Sequence, residues 1–80
     1  MNRNRDEKII KDFGKNLKNI RKAKKLSTRA LGDLADVDFS LINRIELGKV
    51  NPTLTTILVL AGALKIDVAE LIHFPQSPSE

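Results

Sequence analysis

Cysteine is absent from the 80-residue sequence, and histidine occurs once, as His73. Without cysteine the chain can form no disulfide and no thiolate zinc site, and it has no cysteine nucleophile. One histidine cannot assemble a histidine-based metal site on its own. We therefore expect no metal and no cofactor, and we assign His73 to a helix C-terminus, where the helix dipole favours it.

Long apolar runs are also lacking. No stretch approaches the roughly 20 apolar residues of a membrane-spanning helix. Charged residues continue through Lys25 without the apolar segment of a secretory signal. We therefore expect a cytoplasmic protein that has no membrane partner.

Catalytic constellations are the third absence. The glycines form no phosphate-binding loop, and the acidic residues are scattered or stand at helix-capping positions. An enzyme needs a combination of nucleophile, base, metal or phosphate cradle. Serines with one distant histidine are weak support for hydrolysis, so we predict no catalytic residue and no enzyme activity.

Positive charge is concentrated at one end of the chain. Residues 1–25 carry ten basic and three acidic side chains, a net charge of +7, whereas residues 26–80 carry four basic and seven acidic ones, a net charge of −3. The first segment therefore offers a cationic surface suited to a polyanion. The alternative is that a lysine-rich helix merely keeps the protein soluble.

Apolar residues recur with helical spacing along the chain, and no segment has a strand pattern. The first apolar face consists of Ile10, Phe13, Leu17 and Ile20. It predicts a helix from about Asp6 to Lys24. Gly14 lies inside this pattern, which indicates close packing against another helix. Four further helices are predicted over residues 28–35, 39–47, 54–64 and 68–73.

Polar residues mark the helix boundaries. The predicted N-caps are Ser27, Asp38, Thr53 and Asp67. Glu70 follows Asp67 by three residues, as in a capping box. Asp36 breaks the second helix, and Gly48 with Asn51-Pro52 ends the third. We expect one domain over residues 6–74, with residues 1–5 and the polar tail 75–80 disordered.

Residues 26–52 read as a helix, a tight turn and a second helix. Apolar residues flank the turn on both sides: Leu31, Leu34 and Ala35 before it, and Leu41, Ile42 and Ile45 after it. This is the sequence form of a helix-turn-helix, whose second helix can enter a DNA major groove. With the last three residues in the core, the side chains left free are Phe39, Ser40, Asn43, Arg44 and Leu47.

The free side chains have suitable chemistry for DNA. Arg44 carries a fork of donors that matches guanine. Phe39 either contacts thymine methyl groups or is a partly buried turn residue. Asn43 contacts a base or phosphate, or it only faces solvent.

Short sequence segments typical of one protein family follow one another in order along most of the chain. They are Ile20-Arg21, Leu26-Ser27, Leu31, Ala35, Val37, Ile42, Arg44-Ile45-Glu46, Gly48, Asn51-Pro52, Leu54, Leu60-Ala61 and Ala63-Leu64. Through them the segment from Phe13 to Leu71 resembles the phage-repressor-like helix-turn-helix family, the Cro/XRE group. The resemblance implies an all-α fold, a compact five-helix bundle of the lambda-repressor-like DNA-binding type. It also implies an operator-binding protein that is usually a homodimer on a palindrome.

The resemblance assigns roles by position. Residues implied to face the bases are Phe39, Ser40 and Arg44. Residues implied to lie near the DNA backbone are Thr28, Asn43, Lys49, Asn51 and Thr53. Arg21 and Glu46 match a pair that forms a structural ion pair in several members of the family.

Five positions depart from the family pattern. Members often have glutamine in place of Thr28, alanine in place of Gly32 and glycine in place of Asp36. Asp38 stands where serine or threonine is common, and Phe39 replaces a residue that is frequently polar. The turn can survive because aspartate tolerates a left-handed conformation. The base preference at Phe39 cannot be transferred from the family.

A dimer surface would have to come from apolar residues that the core leaves over. The candidates are Leu58, Val59, Ile66, Ile72 and Phe74. The alternative is that some of them complete the core, because the fifth helix is short and needs anchoring.

Our primary hypothesis is a sequence-specific, double-stranded DNA-binding transcriptional regulator. It would bind a palindromic operator as a homodimer and control its own gene, as a controller or repressor does. The alternative is an antitoxin-like or other protein-interaction module that binds a toxin or RNA polymerase, with DNA binding secondary. A weaker rival is a nonspecific nucleic-acid chaperone that uses the lysine-rich first helix.

Overall fold

Five α-helices make up the structure, a computed structural model that describes residues 3–74. The helices are α1 (Arg3–Ala23), α2 (Thr28–Ala35), α3 (Phe39–Glu46), α4 (Leu54–Leu64) and α5 (Val68–Ile72). The described residues contain no strand, so the all-α, five-helix class expected from the sequence is confirmed. None of these helices combines the length and apolar character that crossing a membrane would need.

The helix boundaries agree with the sequence pattern for α2 and α4 and differ elsewhere. α1 begins at Arg3, so residues 3–5, which we expected to be disordered, are helical. An exposed ion pair of 3.7 Å between Arg3 and Glu7, one turn apart, supports this first turn. α3 and α5 each end one residue earlier than predicted, at the C-caps Leu47 and His73. Residues 1–2 and 75–80 lie outside the described part of the chain.

Side-chain capping holds three of the four N-termini that follow α1. The capping side chains are Ser27 for α2, Asp38 for α3 and Thr53 for α4. Each accepts a hydrogen bond from a backbone N–H of the first turn, which satisfies a donor that the helix leaves unpaired. Asp67 occupies the N-cap of α5 but makes no such bond. The capping box predicted for Asp67 and Glu70 is therefore not formed.

The core takes buried residues from every helix. They are Phe13, Leu17, Leu31, Ile42, Ile45, Leu60, Ala61, Leu64 and Leu71. Leu34, one of the apolar residues before the turn, is not part of this core and is 61% exposed. On α2 the buried side is centred between Leu31 and Gly32, and Leu34 falls outside it. Leu41 is only partly buried against the core.

Gly14 brings the backbones of α1 and α3 into contact. A Cβ atom added at Gly14 would overlap the carbonyl oxygen of Ile45 and would lie 2.8 Å from that of Glu46. Only glycine permits this approach without moving a helix. The close packing predicted from the sequence is thus present, and it fixes the position of α3 relative to α1.

Candidate nucleic-acid interface

The turn between α2 and α3 depends on two unusual residues. Asp36 ends α2 in the left-handed conformation, with φ 57° and ψ 46°, a region that aspartate tolerates better than most residues. The Val37 amide donates to the Gly32 carbonyl oxygen at 3.0 Å. A Cβ atom at Gly32 would lie 2.7 Å from the Val37 carbonyl oxygen. Because Gly32 stands where the family usually has alanine, the backbone of Val37 can pack directly against α2.

α3 has one face in the core and one face in solvent. Ile42 and Ile45 are fully buried. On the other side Arg44 is exposed, and its Nε donates to the Ser40 carbonyl oxygen at 3.3 Å. Within residues 3–74 the two terminal amino groups of Arg44 have no hydrogen-bond partner. They are available to a planar acceptor outside the chain.

Asp38 places a negative charge at the leading end of α3. Its Oδ1 accepts a hydrogen bond of 3.0 Å from the Ser40 backbone N–H. This bond, with a smaller attraction to Arg44, lowers the pKa of the Asp38 carboxyl group. The carboxylate is fully exposed and ionised at neutral pH, so capping leaves its charge facing solvent.

A buried ion pair anchors the other end of α3. Arg21 binds the Glu46 carboxylate through two hydrogen bonds, Nε to Oε2 at 2.6 Å and Nη2 to Oε1 at 2.9 Å. Its Nη1 donates to the Leu26 carbonyl oxygen at 2.7 Å. The hydrogen bonds with Glu46 raise the pKa of Arg21. The pair implied by the resemblance is present, and it joins α1, the turn after α1 and the end of α3.

The residues expected near the DNA backbone lie in three segments. Thr28 opens α2 and is partly buried, and Asn43 is partly buried on α3. Lys49 and Asn51 are exposed in the loop between α3 and α4. The Thr53 hydroxyl, in contrast, accepts from the Thr56 amide at 3.1 Å and donates to the Thr56 hydroxyl at 3.0 Å. Its proton is therefore engaged within the chain.

The family model described as HTH_3: Helix-turn-helix matches residues 17–71. The chain belongs to the HTH_3 family. The likeness to the Cro/XRE group expected from the sequence is thereby confirmed. Residues 17–71 are a helix-turn-helix DNA-binding domain of the kind that transcriptional regulators carry.

Relatives of this HTH_3 chain include a phage repressor and a bacterial regulator. It is 37% identical over 59 residues to an immunity repressor protein of Bacillus phage phi105, covering 74% of this chain and 41% of the repressor. It is 33% identical over 67 residues to the HTH-type transcriptional regulator PuuR of Escherichia coli, covering 84% of this chain and 36% of PuuR. The chain thus spans about two-fifths of the length of these relatives. Both are regulators rather than enzymes.

A solved structure matches over nearly its whole length. The restriction-modification controller protein C.AhdI from Aeromonas hydrophila is 41% identical, with a TM-score of 0.74. The match covers 79% of this chain and 94% of that protein. The likeness therefore extends well beyond the 27 residues of the helix-turn-helix segment, residues 26–52.

Arg29 lies at the surface formed by α2 and α3, although the sequence pattern does not predict it as a site residue. The guanidinium carbon of Arg29, on α2, lies 4.3 Å from the ring centroid of Phe39, the first residue of α3. The two residues are ten positions apart on different helices, so no helical spacing rule connects them. Only the tight turn brings them together.

Basic residues of α1 border the C-terminal half of α3. Lys18 lines a shallow depression of about 370 Å³ together with Arg21, Asn43, Glu46 and Leu47. Lys11 lies against Gly48, the residue after the α3 C-cap, which has a positive φ of 74°. Part of the charge counted in residues 1–25 therefore flanks α3 directly.

Proposed function

We propose that this HTH_3 protein is a sequence-specific, double-stranded DNA-binding transcriptional regulator whose α3 enters the major groove. The observation that carries the proposal is the division of α3 into two faces. Ile42, Ile45 and Glu46 are held by the core and by Arg21, whereas Arg44 projects into solvent with free donors. A helix held so firmly can present a few side chains to base edges in a defined geometry.

In the proposed complex, one set of residues discriminates between bases and another set provides affinity for the DNA backbone. Phe39, Ser40 and Arg44 face the bases, with the Arg44 fork directed at guanine O6 and N7. The proposed backbone contacts are Thr28, Asn43, Lys49, Asn51 and Thr53. Lysines that flank α3 add affinity that is independent of sequence and falls with salt, because binding releases counterions from the phosphates.

We further propose that the protein binds a palindromic operator as a homodimer. α4 has apolar residues on its outer side as well as in the core, and Leu58 and Val59 are 49% and 38% exposed. Ile72 of α5 is 52% exposed. A helix that is apolar all round is usually covered on all sides. Two copies would then read half-sites about one helical turn, roughly 34 Å, apart.

Ile66 and Phe74 are better explained by the core than by the dimer surface. Both pack against the buried cluster. The rings of Phe13 and Phe74 meet edge to face, with 6.2 Å between their centroids. For these two residues the alternative that they anchor the short α5 is the one we adopt.

Control of its own gene is the regulatory role we propose. The support is the likeness to a restriction-modification controller protein over 94% of that protein, together with the likeness to an immunity repressor. A DNA fragment from upstream of the protein's own coding sequence tests this role. We expect an inverted repeat there that the purified protein binds, and a fragment that binds no better than random DNA would contradict it.

Mobility-shift titration with the Arg44→Ala variant tests sequence-specific binding. On an operator selected with the wild-type protein we expect a loss of about 1–3 kcal/mol, and much less on random DNA. Lys49→Ala is the matched control, which should weaken binding to both DNAs alike. Equal wild-type affinity for the two DNAs, or an unchanged curve for Arg44→Ala, would count against the proposal.

A further inference from the structure

The contact between Arg29 and Phe39 forms a second arginine-bearing feature at the start of α3. The Arg29 guanidinium lies over the Phe39 ring, 4.3 Å from its centroid. Arg29 is exposed, and Phe39 is 36% exposed. A guanidinium over an aromatic face is held by the electrostatic attraction of the ring. The side chain of Arg29 is therefore restrained although it lies at the surface.

The stack leaves the hydrogen-bonding capacity of Arg29 unused. Within residues 3–74 no hydrogen bond or ion pair involves Arg29, and Asp33, one turn further along α2, is not its salt-bridge partner. The contact with the Phe39 ring is a cation–π contact, and it gives none of the five N–H donors of Arg29 an oxygen or nitrogen acceptor. These donors can thus bind a planar acceptor outside the chain.

We propose that Arg29 is a second guanine-reading residue and that Phe39 positions it. This inference rests on the proposed entry of α3 into the major groove. The N-terminal residues of a recognition helix are those that contact base edges, and the Arg29 guanidinium lies against the first of them. Guanine presents O6 and N7 to a bidentate arginine. Phosphate oxygens accept the same fork, so the test must separate a base contact from a backbone contact.

The test compares base preferences along a selected operator. An operator is first selected from random double-stranded DNA with the wild-type protein. Affinities for this operator and for each single base-pair change are then measured for wild type, Arg29→Ala, Arg29→Lys and Phe39→Leu. We expect Arg29→Ala to bind the operator about 5- to 150-fold more weakly, the range for loss of one bidentate base contact. We also expect it to lose the preference for guanine at one position that Arg44→Ala leaves intact.

The remaining variants test the stack itself. Arg29→Lys keeps the charge but lacks the fork, so it should not restore the preference. Phe39→Leu should lose the preference for guanine at the same operator position. The double variant Phe39→Leu with Arg29→Ala should lose no more of that preference than Arg29→Ala alone. Phe39→Tyr keeps the ring and should retain the preference. Asp33→Ala, an exposed change on the same helix, should match wild type, and thermal unfolding of each variant checks that it is folded.

Several outcomes would overturn the inference. An equal loss with Arg29→Ala on all DNA sequences would identify a phosphate contact. A positioning role for the Phe39 ring would be excluded if Phe39→Leu kept the wild-type preference for guanine at the position assigned to Arg29. It would also be excluded if Phe39→Tyr lost that preference. If Arg44→Ala kept the wild-type base preference at every position of the operator, the proposed reading by α3 would be contradicted. The two proposals can therefore fail separately.

Discussion

Arg21 and Glu46 are charged side chains that are only 9% and 6% exposed. Charged residues are rarely buried unless they are paired. Here the guanidinium uses both edges, one on the carboxylate and one on the Leu26 carbonyl oxygen. Loss of either partner leaves the other charge buried without compensation, so the pair constrains the fold more than its own attraction stabilises it.

Glu46→Ala should therefore lower the free energy of unfolding by about 3–5 kcal/mol, the usual cost of breaking a buried pair. Urea denaturation measures the change. The exposed pair of Arg3 and Glu7 provides the control, since Glu7→Ala should cost less than about 1 kcal/mol. Similar costs for the two variants would show that Arg21 is rehydrated or finds another acceptor.

Asp38 gives a prediction about acid stability. Its pKa is lowered in the folded protein by the Ser40 N–H. Its stabilising effect is therefore fully present above the unfolded pKa of about 3.9, and it is lost as pH falls through the lower folded value. Asn is also a good N-cap but does not titrate. The stability advantage of wild type over Asp38→Asn should shrink below about pH 4, and denaturation curves that stay parallel from pH 6 to pH 2 would contradict this.

At the scale of the helices, the spacing of apolar residues and the capping residues predict most of the fold. α2 and α4 have the predicted bounds because Ser27 and Thr53 cap them with local hydrogen bonds. Such hydrogen bonds join residues three positions apart, so they can be predicted from the local sequence. Contacts across the bundle are different. The exposure of Leu34 depends on which side of α2 meets the turn, and no local pattern determines that side.

The candidate site divides in the same way. Arg44 and Ser40 could be found from the sequence because the core face of α3 determines the free face. Arg29 could not, since its contact with Phe39 depends on how tightly the chain turns at Gly32 and Asp36. Spacing alone predicts a capping box of Asp67 and Glu70, but the Asp67 side chain makes no capping hydrogen bond in the structure. Correct spacing therefore does not ensure the bond.

Two helical glycines form a matched pair for testing the packing of α1 on α3. Gly14→Ala should destabilise the protein by about 1–3 kcal/mol, because its Cβ would meet backbone atoms of Ile45 and Glu46 that cannot rotate away. A Cβ at Gly62 would meet nothing within 4 Å. Gly62→Ala should therefore stabilise the monomer by up to about 1 kcal/mol. Thermal or urea unfolding measures both, and equal effects would mean that α1 and α3 can separate without cost.

At the scale of the whole molecule, a chain of this size has a small core and a large surface. The exposed apolar residues of α4 and α5 therefore matter for its stability as well as for assembly. Covering Leu58, Val59 and Ile72 in a proposed dimer would remove apolar surface from water in each subunit. The bundle would gain stability with protein concentration.

Leu58→Asp should leave the monomer folded, because Leu58 is half exposed, but it should prevent dimer formation. Sedimentation at high micromolar concentration should show a dimer for wild type and a monomer for the variant. Operator binding should weaken accordingly, since two half-sites would no longer be read together. Leu34→Asp, at another exposed leucine, is the control and should remain dimeric. A wild-type monomer both with and without operator would refute the dimer.

The separation of the two faces of α3 also bears on how such a protein can change. Stability depends on Ile42, Ile45 and Glu46, while the side chains proposed to read DNA have little part in holding the helix. With α3 as the proposed reading helix, substitutions on its solvent face would alter the preferred operator without unfolding the protein. A lineage that carries this bundle could then exchange one operator for another through single amino-acid changes, while its scaffold stays the same.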